Sequence, residues 1–141
     1  MRRALRVMAG LLTACLFFVC GCVSQWQQGM ASIRRESIVS ATWSGLELLG
    51  TEETEEKGWK PEPPSITHCY KLTILVKEAY EKVIATAGED GWSEDYAVQR
   101  ETSRVVIKDT GKGVLRVILA TDSITCEKYP DFAFRLTFSY R

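Results

Sequence analysis

The sequence lacks most of the residue patterns that carry familiar catalytic chemistry. It contains a single histidine, His68, and neither a C-x-x-C pair nor a G-x-S-x-G nucleophile motif. Gly111-Lys112-Gly113 lies between two strand-like runs and lacks the G-x-x-x-x-G-K-[ST] spacing of a phosphate-binding loop, so a hairpin turn is the interpretation. We therefore expect no catalytic residues, no cofactor and no metal ligands, and predict that the chain is not an enzyme.

The sequence also lacks an excess of charge and any long apolar run. Its 18 basic and 18 acidic residues balance, which gives no electrostatic reason to bind nucleic acid. The longest apolar stretch, about 15 residues ending at Val19, is shorter than the roughly 20 residues that a transmembrane helix needs. Neither a nucleic-acid partner nor a membrane-spanning helix is expected.

The first 22 residues contain the most specific pattern in the chain. Arginines precede the apolar stretch at positions 2, 3 and 6, and Val19-Cys20-Gly21-Cys22 stands where the stretch ends. This arrangement resembles the signal peptide and lipobox of bacterial lipoproteins, which have an aliphatic residue at −3, a small residue at −1 and a lipid-bearing cysteine at +1. The resemblance implies that residues 1–21 are cleaved and that Cys22 is acylated by groups such as palmitate. No specific domain family is recognised.

The same resemblance implies a location. Val23 and Ser24 follow Cys22, and neither is the aspartate that favours retention in the inner membrane of enterobacteria. A cell-envelope protein held by the lipid on Cys22 is therefore expected, at the periplasmic face of the outer membrane rather than at the inner membrane. Two alternatives stay open: an uncleaved N-terminal anchor helix, and cleavage that leaves Cys22 without lipid.

Cysteine parity predicts a disulfide. Of the five cysteines, Cys15 and Cys20 leave with the signal peptide and Cys22 is the lipid site. Cys69 and Cys126 remain, an even pair in an exported chain. The alternative is a metal site formed by these two cysteines and His68, but the spacing of structural metal ligands is missing.

Two segments in the first half of the chain are interpreted as a tether and a loop. Residues 22–37 are interpreted as a lipidated tether with a short helical stripe at Trp26, Met30 and Ile33. Residues 50–65 combine four glutamates in a five-residue window with three prolines, which is typical of a solvated loop. Trp59 lies in that loop, where we expect it either to dock on the domain or to sit at a partner surface.

The rest of the chain predicts one domain over residues 38–141, of the α+β class. Helix-forming residues ending at Gly88 predict a helix over 77–88. Strict alternation of aromatic and polar residues over 132–140 predicts a half-buried strand. Further strands are expected at 38–49, 67–75, 96–100, 104–108 and 114–121. The expected architecture has two layers: an antiparallel sheet of four to six strands, covered by the 77–88 helix as its one main helix.

Two function classes agree with these observations. The first is a non-enzymatic protein-binding or assembly module of the cell envelope, with an envelope protein as its partner. The alternative is a binder or inhibitor of a soluble periplasmic ligand or hydrolase, with the acidic loop or a sheet face as the contact. Carboxylates around Trp92, at Glu89, Asp90, Glu94 and Asp95, are interpreted as exposed turn residues.

Overall fold

Six antiparallel strands form one sheet in the computed structural model, which describes residues 22–141. The predicted signal peptide, residues 1–21, lies outside that range. The spatial order of the strands is β1-β2-β6-β5-β4-β3. The elements in chain order are α1 (Gln25–Arg35), α2 (Ser37–Ser40), β1 (Leu46–Glu53), β2 (Ser65–Leu72), α3 (Val76–Glu89), β3 (Ser93–Glu94), a 3₁₀ turn (Tyr96–Val98), β4 (Ser103–Asp109), β5 (Val114–Ala120) and β6 (Phe134–Tyr140).

The core lies on one face of the sheet and is centred on β6, which pairs with both β2 and β5. Alternation along β6 places its aromatic and aliphatic side chains on this face. Val117 lies opposite Phe138 and Leu119 opposite Leu136, so the apolar residues of β5 continue the same surface. The fully buried side chains that the two strands place on this face are Leu115, Val117, Leu119, Phe134, Leu136 and Phe138.

Within residues 22–141, three short helices cover this face together. Helix α1 begins where the Ser24 hydroxyl accepts a hydrogen bond from the Gln27 backbone N–H. It buries Met30 and Ile33, and α2 buries Ile38. Helix α3 buries Ala79, Val83 and Ala87 along one stripe. The segment 22–37, expected as a tether, therefore contains a helix whose apolar side chains belong to the core.

The predicted two-layer α+β fold with one main helix is wrong. Of the described residues, 22–141, 27% are helical and 33% lie in strands, so this part of the chain is better described as a mostly-β fold with three short helices. The reason is that one helix is much narrower than the sheet. A 14-residue helix is about 21 Å long and about 10 Å wide, whereas strands spaced by about 4.8 Å make a six-stranded face more than twice as wide as that helix. Helix α3 cannot cover such a face alone, so α1 and α2 share it.

Two of the predicted strand positions also differ from the structure. Residues 37–40 form α2, and β1 begins only at Leu46 and extends to Glu53, into the segment expected to be a loop. Gly45, with φ of +90°, makes the turn that precedes β1. The predicted strand at 96–100 is instead a 3₁₀ turn, which begins where the Asp95 side chain accepts a hydrogen bond from the Ala97 N–H.

Candidate functional site

Several segments meet at one end of the sheet, which we call the Cys22 end. They are the residues preceding α1, loop 54–64 between β1 and β2, the turn 110–113 between β4 and β5, and Arg141. The Val114 N–H donates to the Arg141 carbonyl at 2.8 Å, which joins the beginning of β5 to the residue after β6. Val23, Lys112 and Arg141 line one cleft at this end.

Cys22 is exposed, and its thiol is free. Only Val23 and Ser24 separate it from the first residue of α1. At about 3.5 Å per residue, this connection cannot exceed roughly 10 Å. Any group attached to Cys22 is therefore held close to the Cys22 end of the folded domain.

Loop 54–64 lies against the start of α1. The indole N–H of Trp26 donates to the Glu62 carbonyl at 2.8 Å, which fixes the second half of the loop. The Thr54 hydroxyl donates to the Pro63 carbonyl and accepts from the Ser65 N–H, so the two ends of the loop are also joined. At its tip, Trp59 is 98% exposed. Loop 54–64 is thus tied down at its base while its largest apolar side chain contacts solvent.

A groove of about 490 Å³ runs between loop 54–64 and the sheet face opposite the core. Glutamates and lysines of the loop line it together with Glu52 and Thr67. Glu52 pairs with Lys128 and accepts a hydrogen bond from the Tyr129 hydroxyl. The hydrogen bond with Lys128 lowers the pKa of Glu52 and raises that of Lys128, so both groups stay charged. This pair ties the β5–β6 loop to β1.

The predicted pairing of Cys69 with Cys126 is present in the structure. The two sulfur atoms are 2.06 Å apart and the Cα atoms 5.8 Å apart, within the usual span of a disulfide. Cys69 lies on β2 and faces away from the core, and Cys126 belongs to the β5–β6 loop, residues 121–133. The disulfide therefore holds this loop against the outer face of the sheet.

An ion pair between the buried Arg135 and the half-exposed Asp122 holds the same loop, and the sequence contained no signal for it. Arg135 on β6 is 8% exposed although it faces away from the core. Its Nε and one terminal nitrogen each donate to an Asp122 carboxylate oxygen at 2.9 Å. The other terminal nitrogen donates to the Thr137 hydroxyl at 2.7 Å. Two-point pairing of this kind fixes both partners.

His68 does not join the two cysteines. Neighbouring residues of a strand point to opposite faces, so His68 enters the core while Cys69 points outward. Its Nε2 lies 3.0 Å from the Val39 carbonyl oxygen, to which it donates, and its Nδ1 lies 2.8 Å from the Thr51 hydroxyl. Burial lowers the pKa of His68. Residues 22–141 contain no group of three or more side chains suited to hold a metal ion.

Most of the carboxylates around Trp92 have structural partners. Asp90 accepts a hydrogen bond from the Ser37 hydroxyl, which links the end of α3 to α2. Glu94 accepts from Gln99 at 2.8 Å and from the Tyr96 hydroxyl at 3.2 Å. These contacts organise the turns that follow α3.

Neither a family model, nor a curated protein, nor a solved structure matches this chain. In the part of the chain that the structure describes, no helix combines the length and the apolar character required to cross a bilayer.

Proposed function

We propose that the chain is a lipid-anchored cell-envelope protein in which Cys22 carries the lipid and the folded domain binds a protein partner or supports assembly. The observation that carries this proposal is the position of Cys22. It ends a lipobox-like tetrapeptide, is exposed, and stands two residues before the capping residue of a packed helix. A lipid there anchors the domain without entering its core.

The disulfide supports an exported location. Disulfides persist in oxidising compartments such as the periplasm and are rare in the cytosol. We infer that the domain lies in the periplasm, and the absence of aspartate after Cys22 favours the outer membrane. Several acyl chains on one residue are needed for stable anchoring, because one chain alone binds a membrane reversibly.

A non-enzymatic role is supported by how the reactive side chains are used. Both ring nitrogens of His68 have hydrogen-bonding partners, Cys69 and Cys126 are joined, and Glu52 forms an ion pair. Each of these groups connects parts of the fold.

Binding of a soluble ligand or a hydrolase is the second candidate, and the groove beside loop 54–64 favours it. The groove is open and carries charges of both signs, including Lys57 and Lys60. A thermal-shift panel of periplasmic solutes separates the two candidates. A ligand that binds only the folded state raises stability by RT ln(1 + [L]/Kd), whereas a protein partner is found by crosslinking in intact membranes.

Acylation of Cys22 is the first testable prediction. Metabolic labelling with a fatty-acid analogue should mark the wild-type protein and not Cys22→Ala, because the thiol is the attachment point. Ser24→Ala is the matched control, since it alters a neighbouring residue and retains Cys22. Equal labelling of the wild type and Cys22→Ala would contradict the proposal.

A further inference from the structure

We propose that Trp59 inserts into the headgroup region of the phospholipid bilayer that carries the lipid of Cys22. The tip of loop 54–64 would then be a second membrane contact, and the Cys22 end of the sheet would face the bilayer. This inference rests on the proposed acylation of Cys22.

Exposure is the first observation. Trp59 is 98% exposed, whereas Trp26 and Trp43 are half-buried and Trp92 is buried. An indole combines a large apolar surface with one N–H donor, and tryptophan is enriched where membrane meets water for that reason. Next to Cys22, the side chain of Val23 is also exposed. Two apolar side chains thus accompany the attachment point.

Position is the second observation. Trp26 lies four positions after Cys22 and is hydrogen-bonded to Glu62, and Trp59 lies three positions before Glu62. At about 3.5 Å per residue these backbone segments together span at most roughly 25 Å. A bilayer that holds the acyl chains of Cys22 therefore lies within reach of the tip of loop 54–64.

Rigidity is the third observation. Prolines at positions 61, 63 and 64 fix φ in the second half of the loop. The Tyr140 N–H donates to the Pro64 carbonyl, and Thr54 bridges the base. Because the base of the loop is already ordered, little conformational freedom is left to lose when its tip contacts a surface.

Charge favours the indole as the contacting group. Lys57 and Lys60 flank Trp59, but Glu55, Glu56 and Glu62 lie in the same loop, and Lys57 pairs with Glu55. The loop therefore carries no excess of positive charge that would require anionic lipid. We expect insertion into zwitterionic phosphatidylcholine bilayers.

The arrangement leaves the other end of the sheet for a protein partner. Leu75, which follows β2 and is 70% exposed, lies at that opposite end. A partner in the periplasm can approach it while the Cys22 end contacts lipid.

Depth-sensitive fluorescence quenching tests the inference. The acylated full chain, purified from membranes, is reconstituted into phosphatidylcholine vesicles with or without brominated phosphatidylcholine, which quenches nearby indoles. We expect quenching of the wild type and loss of its larger part in Trp59→Phe. Trp43→Phe is the matched control, because Trp43 precedes β1 at the opposite end and bonds to Thr86; this variant should keep the quenching.

Fatty-acid labelling and vesicle flotation of the same samples separate the two proposals. Labelled, floating protein whose quenching is equal in the wild type and Trp59→Phe overturns the membrane contact and leaves acylation intact. If Trp59 becomes protected from aqueous iodide only after envelope proteins are added, the tryptophan contacts a protein partner. That result also overturns the proposed membrane contact. Unlabelled protein overturns both proposals.

Discussion

His68 is of a residue type that often takes part in catalysis, but in this structure its side chain holds parts of the fold together. Its ring packs edge-on against Phe138 and Tyr70, with centroids 5.4 and 6.2 Å away. The Nε2–H donates to Val39 on α2, and Nδ1 faces Thr51 on β1. The histidine thus connects the helical layer to two strands. Burial disfavours its charged form, which lowers its pKa from the usual 6.5.

At this scale we predict a pH dependence of stability. The unfolded chain takes up a proton at His68 near pH 6.5, whereas the folded chain does so only at lower pH. The unfolded state therefore binds more protons between these two pKa values, and the free energy of unfolding should fall as the pH drops through 6.5. Below the folded-state pKa, the contribution of His68 stops changing.

Urea unfolding of the wild type and His68→Gln between about pH 7.5 and 5 measures this effect. Because the chain has no other histidine, the variant should lose the dependence in that window. Carboxylates such as Glu52, with its lowered pKa, reduce stability only at more acidic pH, below their ordinary value of 4.5. If the free energy of unfolding changed equally with pH in both proteins, His68 would have the same pKa in the folded and unfolded states.

Among the secondary-structure elements, β6 contributes to both faces of the sheet. It lies between β2 and β5, and its two faces make different contacts. Phe134, Leu136 and Phe138 fill the core, while Arg135 and Thr137 form hydrogen bonds on the outer face. A single alternating pattern therefore supplies both the core and the attachment of the β5–β6 loop.

Substitutions on the two faces of β6 should have unequal effects. Phe134→Ala and Phe138→Ala each remove a fully buried ring, and such truncations typically cost about 3–5 kcal/mol. Thr137→Ser keeps the hydroxyl that contacts Arg135 and Thr67, so it should change the melting temperature little. Thermal unfolding of the three variants checks this. Equally small shifts in all three would refute the assignment of the inner face.

At the scale of the whole molecule, the disulfide between Cys69 and Cys126 joins positions 57 residues apart. It links the second strand to the loop before the last strand, so the enclosed segment contains α3 and strands β3, β4 and β5. In the chain-entropy model, a cross-link of this length stabilises the folded state by about 4 kcal/mol, and measured values are often smaller.

We predict that reduction of this disulfide lowers the free energy of unfolding by up to about 4 kcal/mol. Unfolding should occur at lower urea concentration in a reducing buffer, and the double variant Cys69→Ala/Cys126→Ala should be insensitive to the reductant. Cys22→Ser is the matched control and should respond to reduction like the wild type, because its thiol takes no part in the bridge. If the reductant also destabilised the double variant, the loss of stability would have a cause other than this disulfide.

Features that depend on residues close together in the chain could be predicted before the structure was known. Alternation over 132–140 predicted β6, helix-forming residues before Gly88 predicted α3, and glycines around Lys112 predicted a hairpin turn. Cysteine parity predicted the pairing of Cys69 with Cys126. The first three signals come from residues that are close together in the sequence, because side-chain period and turn preference are set within a few residues. The fourth is a count of cysteines.

Which of these elements share a core and a surface depends on contacts between residues far apart in the chain. Met30 and Ile33 formed too short a stripe to be identified as core residues, yet the wide sheet face buries them. The bond between Trp26 and Glu62, 36 residues apart, places loop 54–64 beside Cys22, and Arg135 becomes buried because Asp122 folds back over it. Such contacts depend on the path of the chain in space, which local periodicity does not encode.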